Sequence, residues 1–519
     1  MKRWIVVITV ITAAVMELID TSIVNVGLYQ MAGNLGVTIE DISWVITSYA
    51  IANVIVIPMT GFLQNYFGRK NYFIASIALF TFASYLCGVA DTLPLLVIAR
   101  FLQGIGGGAL LSVSQGLLFD SFPVNQRPIA SAVFGMGIVM GPTFGPTLGG
   151  MIIDNYHWSW MFYINIPVGI VALILSYLYI DKKPEEYNID RSKIKIDYFG
   201  IVLLAVGVGC LQFVLERGEA NDWFEDQSIF LCTILLFVSL TTFIWWELKI
   251  DNPVVNLRVL KNRNLALGSI LIFVIGIGLF TSVFMYPLFV QRIIGFTASQ
   301  TGLLLIPGGA ITLLVFPLVG RLISKGVPPR YIATAGYIAF ATFCYMMSTF
   351  DLNTSTSLFI GALVIRGIGL AMSNVPLINQ SISTLTPKEM PMGIAITNMI
   401  RQIGGAVGVA LTNTYIAQRL PLNAMNLSSH LQPGDMLTQE RITTMSQSLI
   451  SRGINPLDAL QVTYGNLNMI IQKQALMLSY LDVFQMATLF FIITFPLLFL
   501  LERKKMDATA AKVAADSSH

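Results

Sequence analysis

The chain has 519 residues, of which 55% are hydrophobic and 11% are charged, and its formal net charge is +3. Because soluble domains carry about 25% charged residues, this composition excludes a soluble globular protein and predicts a polytopic membrane protein. The small net charge indicates no particular partner, since in a membrane protein the placement of Lys and Arg in the loops carries the information.

Apolar runs long enough to cross a bilayer, about 20 residues each, recur along the whole chain. We count fourteen spans, at roughly 4–26, 44–64, 72–90, 93–117, 129–153, 161–180, 198–216, 228–247, 265–290, 300–323, 331–349, 356–380, 392–416 and 480–501. The first run is too long for the apolar core of a cleavable signal, so we expect it to remain as span 1. The four cysteines all lie in apolar runs and are predicted to be core residues, not disulfide partners or metal ligands.

Basic residues concentrate at the two ends of the chain and in every second loop. They are Lys2, Arg3, Arg69, Lys70, Arg127, Lys182, Lys183, Arg191, Lys193, Lys195, Lys249, Arg258, Lys261, Arg263, Arg321, Lys325, Arg330, Lys388, Arg503, Lys504 and Lys505. The short intervening loops carry few. The positive-inside rule then predicts that both termini lie in the cytoplasm, which agrees with an even number of spans. We expect the protein in the inner (plasma) membrane.

The two halves of the chain resemble each other. LLVIARFLQGIGGGALLSVSQG in span 4 parallels GALVIRGIGLAMSNVPLINQ in span 12, which aligns Arg100 with Arg366, and the Gly-rich span 5 parallels span 13. Internal repeats of this kind are typical of secondary transporters. We therefore predict an all-α polytopic membrane protein with a six-helix bundle at 1–180, two inserted transmembrane helices at 181–260, a second six-helix bundle at 261–505 and a cytoplasmic tail at 506–519.

One outer connection, 417–479, is much longer than the others. It is polar and contains helix-like stretches around 438–453 and 456–478. We predict an extracytoplasmic helical loop, folded as a hairpin, within the second bundle.

Span 1 carries two acids, Glu17 and Asp20, although a charge inside a membrane costs roughly 2.5–3.5 kcal/mol on insertion scales. At positions i and i+3 they share a helix face. Two carboxylates in a low-dielectric cavity cannot both ionise easily, so we predict that this pair exchanges protons. Asp20 ranks ahead of Glu17 because polar residues, including Asn25, follow it. The alternative is a plain salt bridge to a neighbouring helix.

Span 4 supplies the expected partner of Asp20, since Arg100 lies mid-membrane beside Gln103 and Gly104. Its cation would hold the acid ionised until substrate or movement separates the pair; a static buried bridge is the alternative. In the second half, we expect no acid within spans 9–14, so that Arg366 and Arg401 have no in-membrane partner in their own half. We expect them near a substrate cavity, unless Arg401 reaches toward the interface instead.

Span 5 contains GMGIVMGPTFGPTLGG, in which small residues recur every four positions. That spacing predicts a side-chain-free stripe on one helix face, with a proline stripe beside it that bends the helix. The residues are Gly137, Gly141, Pro142, Gly145, Pro146, Gly149 and Gly150. We expect this helix to form the sliding face between the two bundles.

The turn after span 2, GFLQNYFGRK, has features of a cytoplasmic gate. Gly61 permits close helix approach, Gly68 a tight turn, and Arg69 and Lys70 anchor the turn at the lipid headgroups. A plain basic turn is the alternative.

These segments resemble the 14-helix drug:proton antiporters of the major facilitator superfamily, of the EmrB/QacA type, over essentially the whole chain. LIDTSIVNVGL resembles the acidic first-helix motif, GFLQNYFGRK the loop 2–3 motif, RFLQG the span 4 motif and GPTFGPTLGG the antiporter motif of span 5. Asn65 stands where the loop 2–3 motif usually has an acid, and Tyr66 where it often has a base. The family's charge network at this loop must therefore be weaker or supplied by other residues.

The resemblance implies a major facilitator fold of two six-helix bundles plus two inserted helices. It also implies efflux driven by a proton gradient, with no cofactor, of hydrophobic or amphipathic compounds. Because 417–479 resembles the outer loop of EmrB-like members, it further implies a periplasmic membrane-fusion protein and an outer-membrane channel as partners. A loop without a partner is the alternative.

The function predicted is proton-coupled multidrug export by alternating access. A proton-coupled symporter or an exporter of one endogenous metabolite would use the same fold. The rivals from another class are a non-transporting membrane sensor and an integral membrane enzyme. The sequence shows no nucleophile–base set, metal-ligand cluster or nucleotide-binding loop, and no Walker sequence that would point to ATP as the energy source.

Overall fold

The computed structural model describes residues 2–123, 126–182, 197–251, 253–351, 354–386, 389–431 and 435–501. Several basic residues used above lie outside this part of the chain, as does the predicted tail at 506–519: Lys183, Arg191, Lys193, Lys195, Lys388, Arg503, Lys504 and Lys505. The side chain of Pro142 is likewise outside the description.

Long α-helices make up most of the described chain. They are α1 (Lys2–Leu35), α2 (Trp44–Phe67), α3 (Arg69–Val89), α4 (Leu93–Asp120), α5 (Arg127–Asn155), α6 (Asn165–Tyr179), α7 (Tyr198–Arg217), α8 (Gln227–Lys249), α9 (Arg263–Phe289), α10 (Ala298–Ser324), α11 (Pro329–Met347), α12 (Thr356–Ile382), α13 (Met390–Ser429), α14 (Met436–Ser451) and α15 (Pro456–Thr494). One-turn helices at Ile39–Ile42 and Trp160–Tyr163 precede α2 and α6, and a π-helical turn, Val290–Ile294, follows α9.

Thirteen described helices are long and apolar enough to cross a membrane. The remaining predicted span is span 11, which corresponds to α11, a helix in which Tyr, Thr and Gly interrupt the apolar run. Helices α1 to α13 thus correspond to spans 1 to 13, and α15 to span 14. The prediction of an all-α membrane protein with fourteen spans is confirmed.

Helix packing follows the internal repeat. In the first half α1 packs on α5 and α6, and α4 packs on α2 and α3. In the second half α9 packs on α13, and α12 on α10 and α11. The halves meet where α5 contacts α10 and where α13 contacts α2 and α4. Helix α7 contacts both α2 and α13, and α8 packs against α7.

Polar contacts bring the ends of several helices to one face of the bundle, which we call the basic face. Arg3 Nη2 at the start of α1 donates to Gln126 Oε1 at 3.0 Å, Arg69 forms an ion pair with Asp120 at the end of α4, and Lys70 Nζ donates to the backbone oxygen of Tyr177 at 2.7 Å. The opposite side, where α1 ends, is called the far face.

The far face carries helices that extend beyond the predicted spans. The sequence predicts that span 13 ends near 416, and helix α13 continues past this point, through Pro421 to Ser429. With 40 residues it is about 60 Å long, twice a hydrocarbon core of about 30 Å. Its extension packs against α15, where Asn423 Nδ2 donates to Ser479 Oγ at 3.1 Å. Together with α14, these extensions form the outer segment at 417–479.

Candidate functional site

Asp20 lies at the centre of a buried polar cluster between α1, α4 and α6. Its Oδ2 receives Arg100 Nη1 at 2.6 Å, and its Oδ1 receives Gln103 Nε2 at 2.9 Å and Asn165 Nδ2 at 2.7 Å. Ser84 Oγ accepts a second bond from Gln103 Nε2 at 2.7 Å. Asp20 is 0% and Arg100 1% exposed, so the pair is fully removed from solvent. Three donors therefore satisfy the hydrogen-bonding capacity of the carboxylate.

Arg100 is fixed by more than its acid. Its Nε donates to the backbone oxygen of Val45 at 3.2 Å, and Nη1 also donates to Gln103 Oε1 at 2.6 Å. The guanidinium lies 4.3 Å from the ring centroid of Tyr49 and 5.6 Å from that of Phe162. Cation–π contacts of this kind are strongest where water is excluded. The predicted Asp20–Arg100 pairing is therefore present in the structure.

Glu17, one turn before Asp20 on α1, is buried but incompletely bonded. Its Oε1 accepts from Tyr49 Oη at 3.1 Å and from Asn53 Nδ2 at 3.2 Å, whereas Oε2 has no hydrogen-bond partner in the described chain. Arg401 of the second half lies within electrostatic reach of Glu17. A buried carboxylate oxygen without a donor is costly when ionised, so a proton fits on Oε2.

The glycine stripe of α5 packs against α1 and not between the bundles. Gly137 faces Val15, Gly141 faces Leu18, Gly145 faces Ser22 and Gly149 faces Ile23. Ser22 Oγ also donates to the backbone oxygen of Gly141 at 3.0 Å. The expectation that these glycines form the sliding face between the bundles is therefore wrong for this conformation, because the stripe occupies the α5 face turned toward its own half. Gly150 has open space around it.

Other faces of α5 meet the second half. A Cβ at Gly320 of α10 would lie 3.2 Å from Cα of Ile129, and a Cβ at Gly302 would lie 2.6 Å from Thr147 Oγ1. Pro146 lines a pocket shared with α9, α10 and α12. The proline of the antiporter motif thus faces the other bundle, while the glycines hold the acid-bearing helix.

The loop 2–3 motif lies at the basic face. Gly68 has φ +83°, which favours glycine, and Arg69 pairs with Asp120. Asn65 is exposed. Gly61 lets α13 approach, since a Cβ there would lie 3.3 Å from Cα of Met392. Asn65 stands at the position where the motif usually has an acid. In this structure the acid that pairs with Arg69 of the motif is instead Asp120 of α4.

The second-half cations have neutral partners. Arg366 Nε donates to Ser282 Oγ at 3.0 Å, and Arg401 Nη2 donates to Asn398 Oδ1 at 2.9 Å. The expectation that spans 9–14 contain no acid is wrong, because predicted span 14 includes Asp482, which lies 3.8 Å from Arg419 at the far end of the helices. Asn25 is exposed, and its Nδ2 lies 3.5 Å from the backbone oxygen of Thr21 in the preceding turn of α1.

Sequence reasoning missed several residues of the site. Asn165 and Ser84 complete the Asp20 cluster, and Tyr49 and Asn53 hold Glu17. Uncharged polar residues are frequent in membrane helices, so their presence alone carried no signal. Only the short run YINIP at 163–167, with an amide at the start of an apolar span, could have drawn attention to Asn165.

A second missed feature links the halves near the basic face. Asn398 Nδ2 of α13 donates to Ser112 Oγ at 3.2 Å and to Gln115 Oε1 at 3.1 Å, both on α4. Since its Oδ1 accepts from Arg401, the amide joins α4 to the second-half cation.

The family profile of the Major Facilitator Superfamily matches residues 10–409. Among curated proteins, the chain is 35% identical to the multidrug export protein EmrB of Haemophilus influenzae, over 84% of each chain. It is 34% identical to the fatty acid resistance protein FarB of Neisseria gonorrhoeae, over 94% of each.

EmrB of Escherichia coli K12 is 32% identical to the chain, over 93% of this chain and 92% of that protein. Among solved structures, the human organic anion transporter MFSD10 (TETRAN) shares the fold with a TM-score of 0.58 at 12% identity, covering 94% of this chain and 99% of that one. The resemblance noted from the motifs is therefore confirmed, and the chain belongs to the major facilitator superfamily, among the relatives of EmrB-type export proteins.

Proposed function

We propose that this protein exports hydrophobic and amphipathic compounds of varied structure in exchange for protons. Membership of the superfamily makes it a multi-pass membrane transporter, not an enzyme, and such transporters need no cofactor. The names of its relatives, multidrug export protein and fatty acid resistance protein, support efflux of more than one compound class.

The observation that carries the proposal is the buried Asp20–Arg100 pair. A proton on Asp20 removes the negative charge that compensates Arg100 at 2.6 Å, and an uncompensated cation in the membrane interior is costly. Protonation would therefore destabilise the packing of α1 against α4 in this conformation. A substrate-dependent change of the same contact would couple efflux to proton entry.

Glu17 gives the proton a second position. Its free Oε2 lies one helical turn from Asp20, and Arg401 approaches it from the other half of the protein. We assign Asp20 the coupled proton, Glu17 an assisting role and Arg100 the control of the ionised state. The stripe glycines of span 5 hold α1 in place, and we assign Asn25 and Arg401 to the substrate cavity.

We infer the orientation from the distribution of basic residues, and the partners from the helices that extend beyond the membrane. We place the basic face and both termini in the cytoplasm of a cell whose inner membrane the protein spans. The extensions of α13 and α15 and helix α14 then project outward, with exposed apolar residues such as Met436, Leu437 and Leu457. Such a surface suits a periplasmic membrane-fusion protein that leads to an outer-membrane channel.

The test replaces Asp20 with Asn in the full-length protein reconstituted in liposomes. A carboxamide has the same shape but takes up no proton, so Asp20→Asn should show no export of ethidium driven by a pH gradient. Asp482→Asn, which alters a half-exposed acid at the far end, should stay within about twofold of wild type. Ethidium export at the wild-type rate by Asp20→Asn would refute the assignment.

The symporter alternative predicts the opposite direction of coupling. In inverted vesicles acidified inside, an antiporter accumulates substrate as protons leave, whereas a symporter releases it. If the purified protein moved no compound of a broad panel under either gradient, the sensor interpretation would gain support.

A further inference from the structure

A groove lies on the outer surface of the second half, between α11 and the end of α15. Its cavity volume is about 410 Å³, within the size range of ligand sites. Helix α11 contributes Ile338, Ala341 and Tyr345, and α15 contributes Thr488 and Ile492. Ile338, Tyr345 and Ile492 are 53%, 62% and 57% exposed, so the groove opens away from the bundle and toward the surrounding lipid.

The hydroxyl groups of the groove wall are largely satisfied inside the protein. Thr342 Oγ1 and Thr488 Oγ1 each donate to a backbone oxygen of the preceding turn, at 2.8 and 2.9 Å. Tyr337 Oη donates to the backbone oxygen of Leu271 on α9 at 2.8 Å. These side chains therefore present methyl groups and ring surface to the groove, which suits a hydrocarbon chain.

The internal repeat shows that such a groove is not a general consequence of the fold. Helices α3 and α6 of the first half correspond to α11 and α15 of the second. A Cβ on Gly169 of α6 would overlap Thr81 of α3, and a Cβ on Gly88 of α3 would overlap the ring of Tyr163. Close packing thus fills the first-half seam, whereas the second-half seam leaves space for a ligand.

The basic residues at the start of the two seams differ in the same way. Lys70, the second residue of α3, donates from Nζ to the backbone oxygen of Tyr177 on α6 at 2.7 Å. Arg330, the second residue of α11, donates from Nη2 to Tyr331 Oη at 3.0 Å, within its own helix. Its Nε has no hydrogen-bond partner among the described residues. This guanidinium can therefore accept an anionic group.

The distance from Arg330 to the groove matches the dimensions of a phospholipid. Ile338 lies eight residues along α11 and Tyr345 fifteen, which is about 12 and 22 Å along the helix axis. One leaflet contributes about 15 Å of hydrocarbon, so an arginine at the headgroups places the groove at the depth of the acyl chains. Tyr331, Ile338 and Tyr345 recur every seven residues and share one helix face, which leads from the guanidinium to the groove.

From these contacts we propose that the groove binds an acyl chain of an anionic phospholipid, with the lipid phosphate on Arg330. The membrane around the protein supplies this lipid. A guanidinium binds a phosphate through two parallel hydrogen bonds, and a basic residue at the membrane surface favours a headgroup with net negative charge. The site is separate from the proposed export path. It joins α11 to α15, the helix that carries the outer segment.

The experiment uses two photoreactive lipids, a phosphatidylglycerol and a phosphatidylcholine with the same diazirine-bearing acyl chain. Each is added in trace amount to nanodiscs that contain the full-length protein, and mass spectrometry measures labelling of residues 337–345. Wild type should be labelled about fivefold more by the phosphatidylglycerol. In Arg330→Gln this preference should disappear. Lys249→Gln, which removes an exposed basic residue at the end of α8, should keep it.

A second pair of variants tests the groove itself. Ala341→Leu fills part of the groove and should reduce labelling by both lipids about fivefold, whereas Ala335→Leu, an exposed position of α11 outside the groove lining, should not. The corresponding stretch of α3, residues 77–85, should be labelled less than 337–345 in wild type.

The headgroup and the acyl chain are thus tested separately. A preference for phosphatidylglycerol that survives Arg330→Gln, or no preference in wild type, would refute binding of the phosphate by Arg330. Equal labelling of α3 and α11, or equal labelling of the two leucine variants, would show ordinary surrounding lipid and overturn the site. None of these readouts depends on export.

Discussion

The Asp20 carboxylate receives hydrogen bonds from three side chains on two other helices, so its charge is shared by a network and not by Arg100 alone. Hydrogen bonds to an ionised group contribute about 1.5–3 kcal/mol each where the site is buried. A proton arriving at Asp20 must therefore disrupt contacts with both α4 and α6. In the proposed mechanism, the acid thereby links proton binding to the packing of the first half.

Asn165, the donor from α6, was not among the predicted site residues, and its replacement tests the network. Asn165→Leu removes the 2.7 Å bond to Asp20 Oδ1. We expect pH-driven uphill export to fall about tenfold or more, since roughly 1.5–3 kcal/mol of carboxylate stabilisation is lost, while energy-independent substrate exchange persists. Asn155→Leu is the matched control, because that exposed amide bonds only its own helix. Equal loss of exchange and uphill export would assign Asn165 to folding instead.

The sequence predicted the charged members of the site and not the neutral ones, for a physical reason. A charge buried in the membrane is energetically costly, so Glu17, Asp20 and Arg100 were candidates for function from their positions in the sequence alone. Ser, Asn and Tyr cost much less in a membrane helix and often bond their own backbone, as Ser84 Oγ does to the backbone oxygen of Phe80 at 2.8 Å. Which of them reach a carboxylate is decided only by how the helices pack.

Helix α5 combines two functions on two faces. Its glycine stripe allows α1 to approach closely enough for Ser22 Oγ to reach the backbone of Gly141. Its other faces contact α10 and the pocket that Pro146 lines together with α9, α10 and α12. A displacement of α1 caused by protonation of Asp20 would therefore be transmitted to the surface that meets the second half. Close backbone packing of this kind requires small residues, which explains the excess of glycine.

Gly145 and Gly150 of α5 can be compared as a matched pair of alanine variants. A Cβ at Gly145 would overlap Ser22 Oγ, whereas one at Gly150 meets open space. Gly145→Ala should lower the free energy of unfolding by about 1–3 kcal/mol and slow export, because α1 and α5 must separate. Gly150→Ala should leave export unchanged and stabilise the helix by up to about 1 kcal/mol.

Thermal unfolding in nanodiscs and ethidium export in liposomes measure both quantities. Indistinguishable behaviour of the two alanine variants would show that the stripe does not set the α1–α5 distance.

At the level of elements, the four-residue spacing predicted the stripe but not its partner. A period fixes which residues share a face, and it cannot say which neighbour that face meets. The length of α13 was missed for a related reason. Hydropathy detects only the part inside the membrane, while Asn423 and the packing of the extension on α15 sustain the helix beyond it.

Across the whole molecule, the described conformation closes the basic face. Asn398 bridges to Ser112 and Gln115 of α4, and Gly61 meets Met392 where α2 crosses α13. Gly320 contacts the start of α5 on the other side of the interface. Alternating access requires these contacts between the halves to open during each cycle. The repeat and the loop charges predicted two rocking bundles, but only coordinates identify which contacts must break.

The contact between Gly61 and Met392 allows this opening to be tested by a crosslink. A Cβ at Gly61 would lie 3.3 Å from Cα of Met392, so the two backbones approach closely enough for a disulfide between cysteines at these positions to be tried. In a background with the four native cysteines replaced by serine, oxidation of Gly61→Cys/Met392→Cys should stop export, because the basic face can no longer open. Reduction should restore it, and each single variant should be unaffected by oxidant. If the fully crosslinked protein exported ethidium at the rate of its reduced form, α2 and α13 would not separate during transport, and the substrate path would have to open between α5 and α10 instead.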